Sequence, residues 1–333
     1  MKQRLLFIDL VKIVAMFAVI GLHTFCGSRG YELAHLFYLS CVIGVPFFFM
    51  SSGYLLLGRN DISYKYIIIK IWHIIRVVFF FSFFYSIFAF YLIDADLLLL
   101  FIDCLSGSFI QRGDLWICWY LGAMMIIYIL YPLINKMFIN DPKAFLFFLF
   151  FLLLIESIVF YLNISMNGWE KNYVQTIRVW NWMFYFCLGG LIKNISELYI
   201  NKKVLVLVCL IAAIGNIYIH ELFANKIGED ACEYFYCSLV VIVMVTSSFL
   251  FLIRITIKPS MNKIISFLSK LFLPVYILHP LLLSVIMNPD VFSIIHTDWM
   301  PFYMYRFFLV SIITVPLSWI LIKIPIVGKL IKI

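Results

Sequence analysis

Residues 9–26 read DLVKIVAMFAVIGLHTFC, a run apolar enough to enter a bilayer that nevertheless carries Asp9, Lys12 and His23. Lys12 and His23 stand eleven positions apart, almost three turns of an α-helix. Their side chains therefore share one face, separated by about 16 Å along the axis. An ionised group in hydrocarbon costs roughly 3 kcal/mol or more, so it normally faces a bundle interior or a wet cavity. The stretch implies a helical membrane protein organised around its first helix. That helix is expected to line a cavity reachable from both sides of the membrane, with an amine toward one end and an imidazole toward the other.

Composition agrees. Of 333 residues, 65% are hydrophobic and 13% charged, where a soluble domain is about half apolar and a quarter charged. The start, MKQRLLFIDLVK, has the basic and apolar parts of a signal peptide. Asp9 and Lys12 interrupt its core and no small-residue cleavage site follows, so it reads as a retained span. The eight cysteines form no CxxC pair and read as small buried hydrophobes, not a metal site. Cys104 and Cys232 both fall in predicted outer loops, where a bridge is conceivable.

Apolar runs of about 20 residues, the length that crosses the hydrocarbon, occur at 6–26, 38–57, 71–93, 115–135, 144–162, 174–192, 204–220, 234–253, 266–287 and 302–322. The fold class is an all-α polytopic membrane bundle of about ten transmembrane helices, forming a single domain over 1–333. With the N-terminus cytoplasmic, the outer loops hold only Arg29, Arg112, Lys171 and Lys226. The spans hold Lys12, Arg76, Arg178 and Arg306, leaving seventeen of the 25 Lys and Arg on the inner side. That asymmetry places both termini in the cytoplasm. It also accounts for the net charge of +8 without a nucleic-acid partner. The longest outer segment, 94–114, has an apolar LLLLFI core expected to dip back into the interface.

Four strings then appear in one order. They are Asp9-Leu10 with Lys12 and His23; VPFFFMSSGYLL around Ser52, Gly53 and Tyr54; LWICWYLGAMMIIYILYP with Trp119, Tyr120, Leu121 and Pro132; and LPVYILHP with Tyr276 and His279. Together they resemble the acyltransferase-3 family of integral-membrane acyltransferases, many of which O-acetylate bacterial surface sugars. The resemblance implies acetyl-CoA as acyl donor and a lipid-linked or surface glycan as acceptor, such as an O-antigen or common antigen. It also implies residence in the bacterial inner membrane, among membrane lipids. Two motifs depart from the family pattern. Lys12 stands where an arginine is usual, and KIWHIIR places Lys70, His73 and Arg76 where paired arginines are expected.

O-acyl transfer needs a base beside the acceptor hydroxyl, and imidazole titrates near neutral pH. His23 is the candidate base, and Lys12 a candidate for holding the polar site. Arg76, His73 and Lys70 are candidates for the donor's phosphates, since guanidinium binds phosphate through paired hydrogen bonds. Tyr54, Glu156, Trp119 and His279 are candidates for the acceptor.

Each has a plainer reading. His23 could bond a neighbouring carbonyl. Lys12 could pair with Asp9 or act as a topology anchor, and Lys70, His73 and Arg76 sit where positive charge is expected anyway. Glu156 could bond Arg178 or Asn181 across the bundle. His279 could belong to a kink at Pro280, and Ser52-Gly53-Tyr54 to close helix packing. Trp116, Trp119, Trp180 and Trp182 read mostly as an interfacial belt. A transporter or flippase for a lipid-linked sugar would show the same spans and charges. Its usual mark is an inverted repeat, and none is visible in the sequence.

Overall fold

Backbone N–H and C=O groups find no water in hydrocarbon, so a segment crossing it must satisfy them internally, as a helix does. The computed structural model describes residues 5–60, 63–93, 96–113, 115–195, 200–227, 232–287 and 300–331, and its regular elements are all helical. They run α1 Leu6–Thr24, α2 Glu32–Ser40, α3 Gly44–Leu56, α4 Tyr64–Ile93, α5 Leu97–Ile110, α6 Trp119–Asn140, α7 Pro142–Ser165, α8 Val179–Ile195, α9 Lys202–Ile227, α10 Leu239–Ile253, α11 Asn262–Leu268, α12 Phe272–Met287, α13 Met300–Lys323 and α14 Pro325–Ile331. Short 3₁₀ turns link several of them.

Among the described residues, eight helical stretches are long and apolar enough to cross a membrane. Two predicted spans are shorter. α8 has 17 residues and α10 has 15, about 26 and 23 Å at 1.5 Å per residue. The chain spends part of each apolar run on turns. Gln175–Ile177 is a 3₁₀ turn before α8, and the Ser238 hydroxyl caps α10 by accepting from the Val241 N–H. The apolar core of 94–114 is a helix of 14 residues, capped by Asp96, whose carboxylate accepts from the Leu99 N–H at 2.9 Å. Among the described residues no disulfide joins Cys104 to Cys232, and both side chains are buried.

Two packing choices set the bundle. α3 lies directly on α8 because Gly53 and Gly189 have no side chains. A Cβ at Gly53 would overlap the Phe186 carbonyl, and one at Gly189 would overlap the Met50 carbonyl. Close backbone approach of this kind is how membrane helices gain van der Waals contact without a hydrophobic drive. α1 sits centrally against α3, α10, α11, α12 and α13, with Val11, Ala15 and Ile20 fully buried. Trp182 is also fully buried, stacked on Phe49 at 4.9 Å. It belongs to the core and not to an interfacial belt.

Candidate active site

The two ends of α1 open onto two cavities. At the N-terminal end, a cavity of about 410 Å³ is lined by Asp9 and Lys12 of α1, Ser51 and Ser52 of α3, Arg59, Lys70, Tyr120, Tyr128 and Lys270. At the C-terminal end, a cavity of about 190 Å³ is lined by His23, Cys26, Tyr38, Trp116, Trp119, Gln175, Glu233, Tyr236 and Tyr276. A layer of rings lies between them. Phe48 and Tyr120 line the first cavity and Tyr276 the second. Tyr120 is 5.6 Å from Phe48 and 5.6 Å from Tyr276. The sequence leads to one cavity reachable from both sides; among the described residues α1 lines two, with the rings of Phe48, Tyr120 and Tyr276 between them.

The first cavity gathers four cations against one carboxylate. Of these, Arg59 is firmly placed. Its Nε donates to the Leu55 carbonyl at 2.9 Å and Nη1 reaches the Tyr66 hydroxyl at 3.4 Å. The turn that carries it is fixed from three directions. Asn135 accepts from the Gly58 N–H at 2.8 Å and donates to the Arg59 carbonyl at 2.9 Å. Tyr131 donates to the Leu56 carbonyl at 2.6 Å, and Lys193 to the Leu57 carbonyl at 2.7 Å. Lys70 lies along the Tyr66 ring, 5.8 Å from its centre. Arg76 points elsewhere. It lines a groove on the outer surface of the bundle with Trp72, Phe79, Phe80, Phe83 and Leu330. His73 is half-buried on the same helix.

The second cavity has His23 at its wall. Its ring meets Trp116 edge-on at 5.1 Å and stacks on His279 at 5.3 Å. The end of α1 that carries it is tied down by α13. The Arg306 guanidinium donates to the Thr24 carbonyl, one of the carbonyls left open at a helix C-terminus. Tyr303 donates to the Gly27 carbonyl at 2.9 Å. His279 Nδ1 lies 3.1 Å from the Val275 carbonyl one turn back, so His279 stands behind His23. Of the acceptor candidates, Trp119 reaches this cavity. Tyr54 is buried against Phe7 at 5.1 Å and Phe249 at 6.4 Å.

Gln175 is a site residue the sequence did not reveal. Its N–H donates to Gln111 Oε1 at 2.7 Å, and its carbonyl accepts from Trp182 Nε1 at 2.7 Å. Both side-chain amide atoms are buried at the cavity without a hydrogen-bond partner among the described residues. A buried amide left open in this way costs free energy unless a ligand satisfies it. A lone Gln in a three-residue turn carries no sequence signal.

Glu156 is fully buried, and neither carboxylate oxygen has a hydrogen-bond partner among the described residues. The expected partners turn instead to Glu170, in the 3₁₀ turn Trp169–Asn172. Glu170 accepts from Asn163 at 2.7 Å, Asn181 at 2.9 Å and Trp180 at 3.0 Å. Arg178 donates to the Glu170 and Tyr173 carbonyls at 2.8 and 3.0 Å. Burial pushes the Glu170 carboxyl above the ordinary carboxylate range, with Arg178 and the three side-chain donors opposing it.

A family model described as an acyltransferase domain matches residues 5–323, nearly the whole chain. No curated protein and no solved structure gave a match.

Proposed function

The chain belongs to that acyltransferase family, and from its membership and the two cavities we propose that it moves an acetyl group from acetyl-CoA to a sugar hydroxyl of a bacterial surface polysaccharide. It is a membrane acyltransferase, and on this reading it sits in the inner membrane with both termini in the cytoplasm, where its donor is found. The observation that carries it is the placement of α1, which presents Lys12 to a cationic cavity and His23 to an aromatic one.

The first cavity suits a polyanionic donor entering from the cytoplasm. Lys12, Arg59, Lys70 and Lys270 would hold its phosphates through charge-assisted hydrogen bonds. The second suits a sugar ring, whose apolar faces pack on Trp116 and Trp119 and whose hydroxyls pair with the open amide of Gln175. The thioester would pass Phe48, Tyr120 and Tyr276 to meet the acceptor. His23 takes the hydroxyl proton as the oxygen attacks the thioester carbonyl. The new C–O bond forms, the C–S bond breaks, and the CoA sulfur leaves with the proton His23 returns.

The test is a membrane assay with labelled acetyl-CoA and glycan acceptor, comparing wild type with His23→Ala. Transfer should fall by about 10²–10⁴, the usual contribution of a positioned base. Equal labelling by the variant would remove His23 from catalysis. Passage of the glycan across the membrane without acetyl incorporation would replace the enzyme reading with a transporter.

A further inference from the structure

His35 of α2 lies 185 positions from His220 and next to it in space. Their rings meet at 5.2 Å, both residues are buried, and Glu221 of α9 joins them from the half-exposed surface. One ligating atom from each residue lies within 4.8 Å of the others. From this geometry we infer that His35, His220 and Glu221 form a site for a divalent transition metal of the zinc type, joining α2 to α9 behind the wall of the second cavity.

The ligand chemistry selects the metal. Two imidazoles and a carboxylate suit zinc and its neighbours, whereas magnesium and calcium favour all-oxygen sites. Tetrahedral bonds of 2.0–2.1 Å set ligand atoms about 3.4 Å apart. His35 Nε2 and Glu221 Oε1 are already 3.6 Å apart. A small rotation of the two rings and of the half-exposed Glu221 closes the set, leaving the fourth position to water. The carboxylate also has the outer support that metal-bound carboxylates keep. Its Oε2 faces Arg29 at 3.5 Å, and Arg29 is held by Asn225 at 2.9 Å. Among the described residues Arg29 is the cation beside Glu221, and its positive charge opposes a bound metal ion, so moderate affinity follows.

The position gives the metal a consequence. Tyr38 packs on His35 at 6.0 Å, lines the second cavity and accepts from the Cys232 N–H at 3.0 Å. α9 packs along α10 and leaves much of its remaining surface facing outward, and Asn216 donates to the Leu39 carbonyl at 3.3 Å. A metal here would fasten the outer helix to the element that carries Tyr38.

The experiment uses full-length protein in detergent, stripped with chelator, in a Cys26→Ser background that removes the exposed thiol. Zn²⁺ alone is titrated against a chromophoric chelator, and Co²⁺ is added separately for its visible bands. We expect one Zn²⁺ per chain, unmoved by excess Mg²⁺. Affinity should drop at least tenfold in Glu221→Gln and at least thirtyfold in His220→Ala, with the Co²⁺ bands lost in both. Glu221 lies at the surface, so its variant keeps the test open if His220→Ala does not fold. No Zn²⁺ bound by wild type, or equal binding by the Glu221→Gln protein, overturns the site. Neither result bears on acyl transfer.

Discussion

The imidazole of His23 lies flat against that of His279, ring centres 5.3 Å apart and planes 27° apart. His279 is fully buried and its Nδ1 is engaged with the Val275 carbonyl, so its part is to hold the His23 ring against Trp116. A displaced base loses one to two orders of magnitude. Replacing His279 with Ala should therefore lower kcat about 10–100-fold while leaving the donor KM unchanged. Replacing it with Phe should restore most of the rate, because a flat ring is what the position supplies. A Phe variant as slow as the Ala variant would assign His279 a polar contact with the acceptor.

The cations proposed to hold the donor can be sorted by cavity. Arg59→Gln and Lys70→Met each remove a charge from the first cavity and should raise the KM for acetyl-CoA about tenfold, with kcat within twofold of wild type. Arg76→Gln should leave both constants within about twofold, because Arg76 lines the outer groove with Trp72 and Phe83. Steady-state kinetics in proteoliposomes measures all three. A large KM effect at Arg76 would move donor binding to that groove.

What the sequence made legible was whatever breaks an apolar background. Lys12 and His23 stand out for that reason, and both face cavities. Arg59 and Lys270 did not stand out, since at a span's end a basic residue is indistinguishable from a topology signal. Gln175 and Glu170 lie in short turns, where no periodicity tells which way a side chain points. Proximity in sequence suggests partners for Glu156 on the next span. Arg178 and Asn181 instead find Glu170, eight and eleven residues before them, within a local turn. Helix existence follows from hydropathy; helix rotation follows from packing, which one sequence does not display.

The α3–α8 contact is a stability determinant. Gly53→Ala and Gly189→Ala each drive a methyl into a facing carbonyl, and overpacking of this kind costs about 1–3 kcal/mol, occasionally more. Thermal unfolding in detergent should show a lower Tm for both. Gly27→Ala, whose added Cβ would meet nothing within 4 Å but sits at φ of +77°, should cost only its backbone strain, about 1 kcal/mol. Equal losses at all three would deny the close helix approach its role.

Glu170 gives stability a pH dependence of known sign. Its folded pKa is raised by burial, so between the ordinary carboxylate value and the raised one the folded chain binds more protons than the unfolded. Its contribution is therefore most favourable at low pH and is lost as pH rises through the folded pKa. Glu170→Gln loses an acceptor facing Asn163 or Asn181 and Trp180, so it should start less stable. The gap to wild type should narrow as pH rises from 4 toward 7. A gap that widens over that range would mean the carboxylate is favoured when ionised.

Glu156 tests whether a buried carboxyl here has a use. Both of its oxygens are buried and without a hydrogen-bond partner among the described residues, and it lines neither cavity. Removing a buried polar group that has no partner relieves a desolvation cost of about 1–3 kcal/mol. Leu occupies a similar volume and belongs among the Leu, Ile and Phe around it in α7. Glu156→Leu should therefore keep full transfer activity and raise Tm by several degrees at about 2–4 °C per kcal/mol. Should the Leu variant fold normally and yet transfer acetyl tenfold more slowly, the carboxyl must meet substrate in a state where α7 and α8 have parted, because in the arrangement described here no acceptor can reach it.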